Sequence, residues 1–219
     1  MEMVFESAEA IANYPDALWK TVHEKDEKEM ILLLEGGADT EFMGGFEFRK
    51  TTPLQLAVRM NEYTTVKLLL EHGANVHVRN RFGETLLHNA VMMLGESDTY
   101  LMARILIANG VVVDSVDYLG WTALHTASFR NMCDVIRLLL LGKADVTLKT
   151  AGNQSAFQLA SLTKNKEMLK EAEVKAEEAH VNDTCLAFAM GQHKRLGQGT
   201  LINDLHPELL RMVLKYRGV

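Results

Sequence analysis

The eight histidines and two cysteines of this chain are its best candidates for acid–base, nucleophilic or metal chemistry. His180, Cys185, His193 and His206 are the plausible metal set, but their spacings match neither C-x2-C nor H-x3–5-H. No metal site and no cofactor is therefore expected. Cys133 and Cys185 stand 52 residues apart and make no disulfide framework, which points to a reducing compartment. Cys133, beside Met132 and Val135 in an apolar stretch, is expected to be a buried, inert thiol. His88 and His125 occupy one recurring position that Gln55 and Gln158 fill elsewhere. Glutamine cannot act as a general base, so these histidines are expected to be structural. The glycine-rich stretch GQHKRLGQG at 191–199 lacks the G-K-[ST] ending of a phosphate cradle, and neither G-x-S-x-G nor H-E-x-x-H occurs. Nothing here predicts an enzyme.

The elements that would position these residues come from internal repetition. Thr52-Pro53-Leu54-Gln55-Leu56-Ala57 recurs as Thr85-Leu86-Leu87-His88-Asn89-Ala90 and as Thr122-Ala123-Leu124-His125-Thr126-Ala127, with a weaker copy at Ser155-Ala156-Phe157-Gln158-Leu159-Ala160. The alanines closing these phrases are spaced 33, 37 and 33 residues apart. A second phrase follows each: LLLEHGAN at 68–75 matches LLLEGGAD at 32–39, with looser copies at 105–112 and 138–145. These paired phrases resemble the ankyrin repeat, whose period is about 33 residues. The resemblance covers about residues 14–172 and implies an all-α solenoid of five stacked helix–turn–helix units with short β-hairpin-like fingers. Residues 1–13 then form a lead-in, 14–172 the repeats with a degenerate last unit, and 173–219 a helical C-terminal extension.

Each recurring residue has a physical task. The threonine, or Ser155, caps a helix N-terminus, and Pro53 suits the first helical position, where no N–H is needed. Leu54 and Ala57 share one helical face, and alanine admits a close neighbour. Gly73 supplies the left-handed residue that ends a helix, while Gly83, Gly120 and Asn153 supply the positive φ of a tight turn. Three departures from the pattern carry expectations. Lys143 replaces the terminating glycine, so that helix is expected to end one residue early, at Gly142. The third unit carries four extra residues, placed near Gly95-Glu96-Ser97-Asp98 between its two helices. The finger after Gly37 is three residues longer than its counterpart and holds Phe42, Met43, Phe46 and Phe48. The charged stretch at 164–178 reads as a capping helix, because an end unit needs a polar face.

Composition limits the partners. The chain is 47% hydrophobic and 24% charged, as in ordinary globular proteins, with a net charge of −6 that disfavours nucleic acid. The opening residues lack the basic region of a secretory signal, and no apolar run is long enough to cross a bilayer. An intracellular protein, cytoplasmic or nuclear, without membrane insertion is expected. The ankyrin resemblance implies a partner protein on the concave face made by fingers and first helices. There the matching positions are Phe48, Arg49, Arg79, Arg81, Phe82, Tyr118, Leu119 and Trp121 on the fingers. The first helices contribute Arg59, Met60, Met92, Met93, Phe129 and Arg130. Aromatic residues, methionine and arginine are the types enriched at interface cores, and five arginines favour a partner with an acidic surface or peptide.

The tail poses a separate question. Leu205, Pro207, Glu208, Leu209, Val213 and Leu214 lie in a phrase that resembles the opening helix of an F-box, and more weakly a suppressor-of-cytokine-signalling box. That resemblance implies a second partner surface, with the chain as a substrate-recognition adaptor of a cullin-type ubiquitin ligase. His206 stands where the F-box has proline, and the remaining F-box helices are absent. The alternative is a tail that only packs. Deleting 205–219 separates the two, since only the first loses ligase co-purification while keeping its target.

Overall fold

The computed structural model describes residues 16–44 and 51–177. Within them, short helices come in pairs. α1 (Ala17–Glu24) is followed by α2 (Glu27–Glu35), α3 (Pro53–Arg59) by α4 (Tyr63–Glu71), and α5 (Leu86–Met93) by α6 (Glu96–Ala108). α7 (Ala123–Phe129) precedes α8 (Cys133–Leu141), and α9 (Ala156–Leu159) precedes a helix, α10, at residues 163–177. Among the described residues the fingers carry isolated antiparallel bridges, Gly44 to Thr51, Arg79 to Thr85 and Lys149 to Ser155, rather than a sheet. The chain divides into two compact units, 1–170 and 171–219, and the helical pairs described below lie in the first.

Helices of seven to nine residues are too short to persist alone in water. Caps start them and stacking keeps them. Thr52 Oγ1 accepts the Gln55 N–H at 3.2 Å while Gln55 Oε1 accepts the Thr52 N–H at 3.0 Å, a reciprocal box repeated at Thr122–His125 and Ser155–Gln158. The first helices then touch in chain order, α1 to α3, α3 to α5, α5 to α7 and α7 to α9. Ala57, Ala90 and Ala127 are wholly buried along that row, as the need for close approach predicts. The second helices supply the other half of the core, with Val66, Leu69, Met102, Leu106, Ile136 and Leu139 buried.

Acidic side chains tie several units to their neighbours. Glu41 accepts the Asn75 N–H at 2.8 Å, Glu96 that of Asp134 at 2.9 Å, and Asp114 that of Asp145 at 2.9 Å. The Tyr63 hydroxyl donates to Asp98 at 3.0 Å, joining the first turns of α4 and α6.

Three expectations need correction. The four extra residues of the third unit are not a loop. Gly95 is the N-cap of α6, which runs for 13 residues where α4 and α8 run for nine. Glu96 and Asp98 in its first turn favour helix there, because carboxylates complement the positive end of the helix dipole. α8 does not end early either. Gly142 keeps φ at −75° and Lys143 itself adopts φ 63°, taking the left-handed place that Gly73 holds at 82°. Cys133 is half-buried at the first position of α8, so it is not a fully buried thiol.

Candidate protein-interaction face

The fingers are shaped by side chains that fold back on the backbone. Asn80 Oδ1 accepts the N–H groups of Phe82 at 2.9 Å and Glu84 at 3.1 Å. Asp117 Oδ1 likewise accepts those of Leu119 at 2.9 Å and Trp121 at 2.8 Å. Gly83 and Gly120 close these turns with φ of 77° and 73°. Neighbouring fingers are joined through their main chains, Tyr118 N–H to Phe82 O at 3.1 Å and Ala151 N–H to Leu119 O at 2.9 Å. The Tyr118 ring lies over Gly83, where a β-carbon would come within 2.7 Å of it.

Histidines fasten first helices to the fingers that follow. His88 Nδ1 accepts the Thr85 N–H at 3.2 Å, so the ring proton sits on Nε2 and is donated to Trp121 O at 2.9 Å. His125 repeats this with the Thr122 N–H at 3.2 Å and Leu148 O at 3.1 Å. Burial holds both imidazoles below the ordinary histidine range and outweighs the opposing pull of Asp117 on each. Both rings are thus neutral and structural, as their interchange with glutamine implies. In the first unit Trp19 does the same work: its Nε1–H donates to Thr51 Oγ1 at 3.3 Å. The weak opening phrase at Asp16-Ala17-Leu18-Trp19 hid that equivalence.

Large apolar side chains gather at the fingers and the first-helix ends. Tyr118 is 78% exposed, Leu119 66%, Phe129 61% and Met93 60%, with Met92 and Phe82 also more than half exposed. Trp121 is half-buried and joins the two zones, its ring edge-on to Phe129 at 5.8 Å and tilted over His125 at 6.4 Å. Arg81 lies over the Phe82 ring at 4.7 Å. Arg59 is exposed and Met60 half-buried at the end of α3.

Two arginines have a structural task that spacing did not reveal. Arg130 Nη1 reaches Val91 O, and Leu94 O at 3.0 Å, closing the carbonyl end of α5. Arg79 Nη1 donates to Gly83 O and to Val116 O, both at 2.7 Å, which pins one finger to the next. Their acceptors are main-chain oxygens in other turns or units, so no local motif marks them. The expected Phe48 and Arg49 lie outside the described residues, as do Leu205, Pro207, Glu208, Leu209, Val213 and Leu214. Sequence reasoning also missed a groove of about 560 Å3 between α6 and α8, lined by Glu96, Tyr100, Leu101, Asp134, Arg137 and Leu141. Among the described residues no helix is long and apolar enough to cross a membrane.

Comparison with known proteins agrees with this geometry. The family model "Ankyrin repeats (3 copies)" matches residues 73–150, and "Ankyrin repeat" matches 49–81. Residues 49–150 are ankyrin repeats. A fowlpox virus (strain NVSL) protein named for its ankyrin repeats, FPV031, is 34% identical over 119 residues, 53% of this chain and 33% of its own length. The mouse B-cell lymphoma 3 protein homolog is 34% identical over 110 residues, 50% of this chain and 24% of its own. The matched stretches are thus a third or less of these relatives. Among solved structures, the ankyrin repeat domain of Bcl-3, described as a unique member of the IkappaB protein family, superposes with a TM-score of 0.62 at 28% identity. That match covers 70% of this chain and 67% of the other.

Proposed function

We propose that this chain is a non-catalytic protein-binding module whose partner covers the fingers and first-helix ends around Trp121. One observation carries this reading. Phe82, Met92, Met93, Tyr118, Leu119 and Phe129 all show more than half their surface to water, at places where the repeat needs only solvated side chains. A partner that buries them gains about 25 cal/mol for each Å2 of apolar surface removed from water. The guanidinium charges of Arg59, Arg79, Arg81 and Arg130 border this area, so acidic groups on the partner, flanking an apolar segment, fit it best.

The arginine and tryptophan anchors are poor probes of this reading, because Arg130 also closes α5 and the half-buried Trp121 ring packs on His125 and Phe129. Leu119→Glu and Met93→Glu are cleaner, since both side chains are exposed. Partners recovered by affinity purification with the full chain should be lost in both variants and kept in Lys67→Glu, an exposed change on α4. Retention of every partner by both Leu119→Glu and Met93→Glu defeats the proposal.

A further inference from the structure

The four capping boxes differ in one respect. Those at α3 and α9 are closed by Gln55 and Gln158, which take up no proton near neutral pH. Those at α5 and α7 are closed by His88 and His125, and both rings touch the same finger. His88 donates to the carbonyl of Trp121, and His125 lies under the Trp121 ring. Among the described residues, the finger at 117–121 is thus the one that meets both titratable rings, while His125 also holds Leu148 O in the finger beyond.

We propose that this finger is a proton-sensitive element: when His88 and His125 take up protons, it is released from the first helices and carries Tyr118, Leu119 and Trp121 out of place. The chemistry follows from the tautomer. In each neutral ring Nδ1 accepts the N–H of Thr85 or Thr122, and Nε2–H donates onward. A second proton goes to Nδ1, which can then donate to Thr85 Oγ1 at 2.9 Å or Thr122 Oγ1 at 2.8 Å, but the buried threonine N–H that it had accepted is left without an acceptor. Rotating the ring to escape breaks the bond to Trp121 O, or to Leu148 O. The charged groups around His88 are Asp117 and Glu84, which favour the proton, and Arg79, which opposes it. Around His125 they are Asp117, which favours it, and His88. Burial dominates at both, so proton uptake costs the folded state more than the unfolded one and is coupled to opening.

The consequence for binding rests on the function proposed above; the loosening itself does not. Amide hydrogen exchange of the full chain, corrected for intrinsic rates, reads the loosening without any partner. Between pH 7.5 and 5.5, peptides spanning 115–123 should lose protection several-fold, while those spanning 52–60, closed by Gln55, keep theirs. The double variant His88→Gln, His125→Gln restores the closure seen at Gln55 and Gln158 and should abolish the change. Far-UV circular dichroism checks that the variant is folded, and single His88→Gln, which should halve the response or more, stands in if the double variant is not. Protection at 115–123 that is equal at both pH values, or that falls equally in the glutamine variant, overturns the proposal. If the finger loosens as described but Leu119→Glu and Met93→Glu keep every partner, the function is wrong and the switch stands.

Discussion

Between α7 and α8, Ala127, Val135, Ile136 and Leu139 are wholly buried, and the pair is held by apolar packing. The finger just before them shows Tyr118 and Leu119 to water and is held instead by separate hydrogen bonds from Asp117, His88 and the neighbouring fingers. Packing spreads stability over many contacts, whereas hydrogen bonds concentrate it in a few atoms. The helical pairs therefore give the stack its stability, and the fingers can vary in exposed residues without cost to the core. On the finger side, Tyr118 and Leu119 are apolar surface that stacking leaves uncovered, and it is there that the proposed partner would fit.

Substitutions that touch only one side of this contrast test it. Leu139→Ala removes a wholly buried side chain and should cost about 2–5 kcal/mol in urea unfolding, the largest effect expected. Gly120→Ala forces φ of 73° on a residue with a side chain and puts its β-carbon 2.8 Å from the Ala151 nitrogen. A loss of about 1–3 kcal/mol is expected there, read as a lower denaturation midpoint. A larger loss at Gly120 than at Leu139 would reverse the comparison. Arg130→Ala strips the Leu94 and Val91 carbonyls of their donor and should cost about 1 kcal/mol, whereas Leu119→Glu should leave the midpoint unchanged. Opposite in sign to the losses, Lys143→Gly relieves a left-handed lysine and should raise stability by about 0.5–1 kcal/mol. The pH dependence has a definite sign as well. Because His88 and His125 titrate lower in the fold than the ordinary value of 6.5, their contribution is complete above that value and declines as acid is added. Thermal unfolding followed from pH 7.5 to 5.5 should show that decline in the wild type and less of it in the glutamine double variant.

Most of the helical frame was legible because its signals are local. Thr52, Pro53, Gly83, Gly120 and Asn153 each dictate the backbone within a few residues, and the structure gives each the conformation its chemistry requires. Long-range contacts were not legible. Arg130 meets carbonyls 36 and 39 residues away, and Trp19 finds Thr51 32 residues on; the repeat brings such positions into neighbouring units but does not say which atoms meet. Asn80 and Asp117 shape their turns locally and could have been found, since Asn or Asp three residues before a turn glycine is an Asx-turn signal. At Lys143 the missing glycine does not shorten α8, because the buried row Val135, Ile136 and Leu139 holds the helix to its full length. The exposed aromatic and methionine positions followed from the repeat register, and their exposure is what the structure adds.

The length of α6 has a geometric consequence. Four residues lengthen an α-helix by about 6 Å, a little more than one turn. Met102, Ala103 and Leu106 stand eight, seven and four residues before Gly110, as Thr65, Val66 and Leu69 do before Gly73, and all six are buried, so the stacked part of α6 keeps the ordinary register and the added turn lies ahead of it. That added turn carries Glu96 and Asp98, which accept from the Asp134 N–H and the Tyr63 hydroxyl, so the surplus reaches the units on both sides.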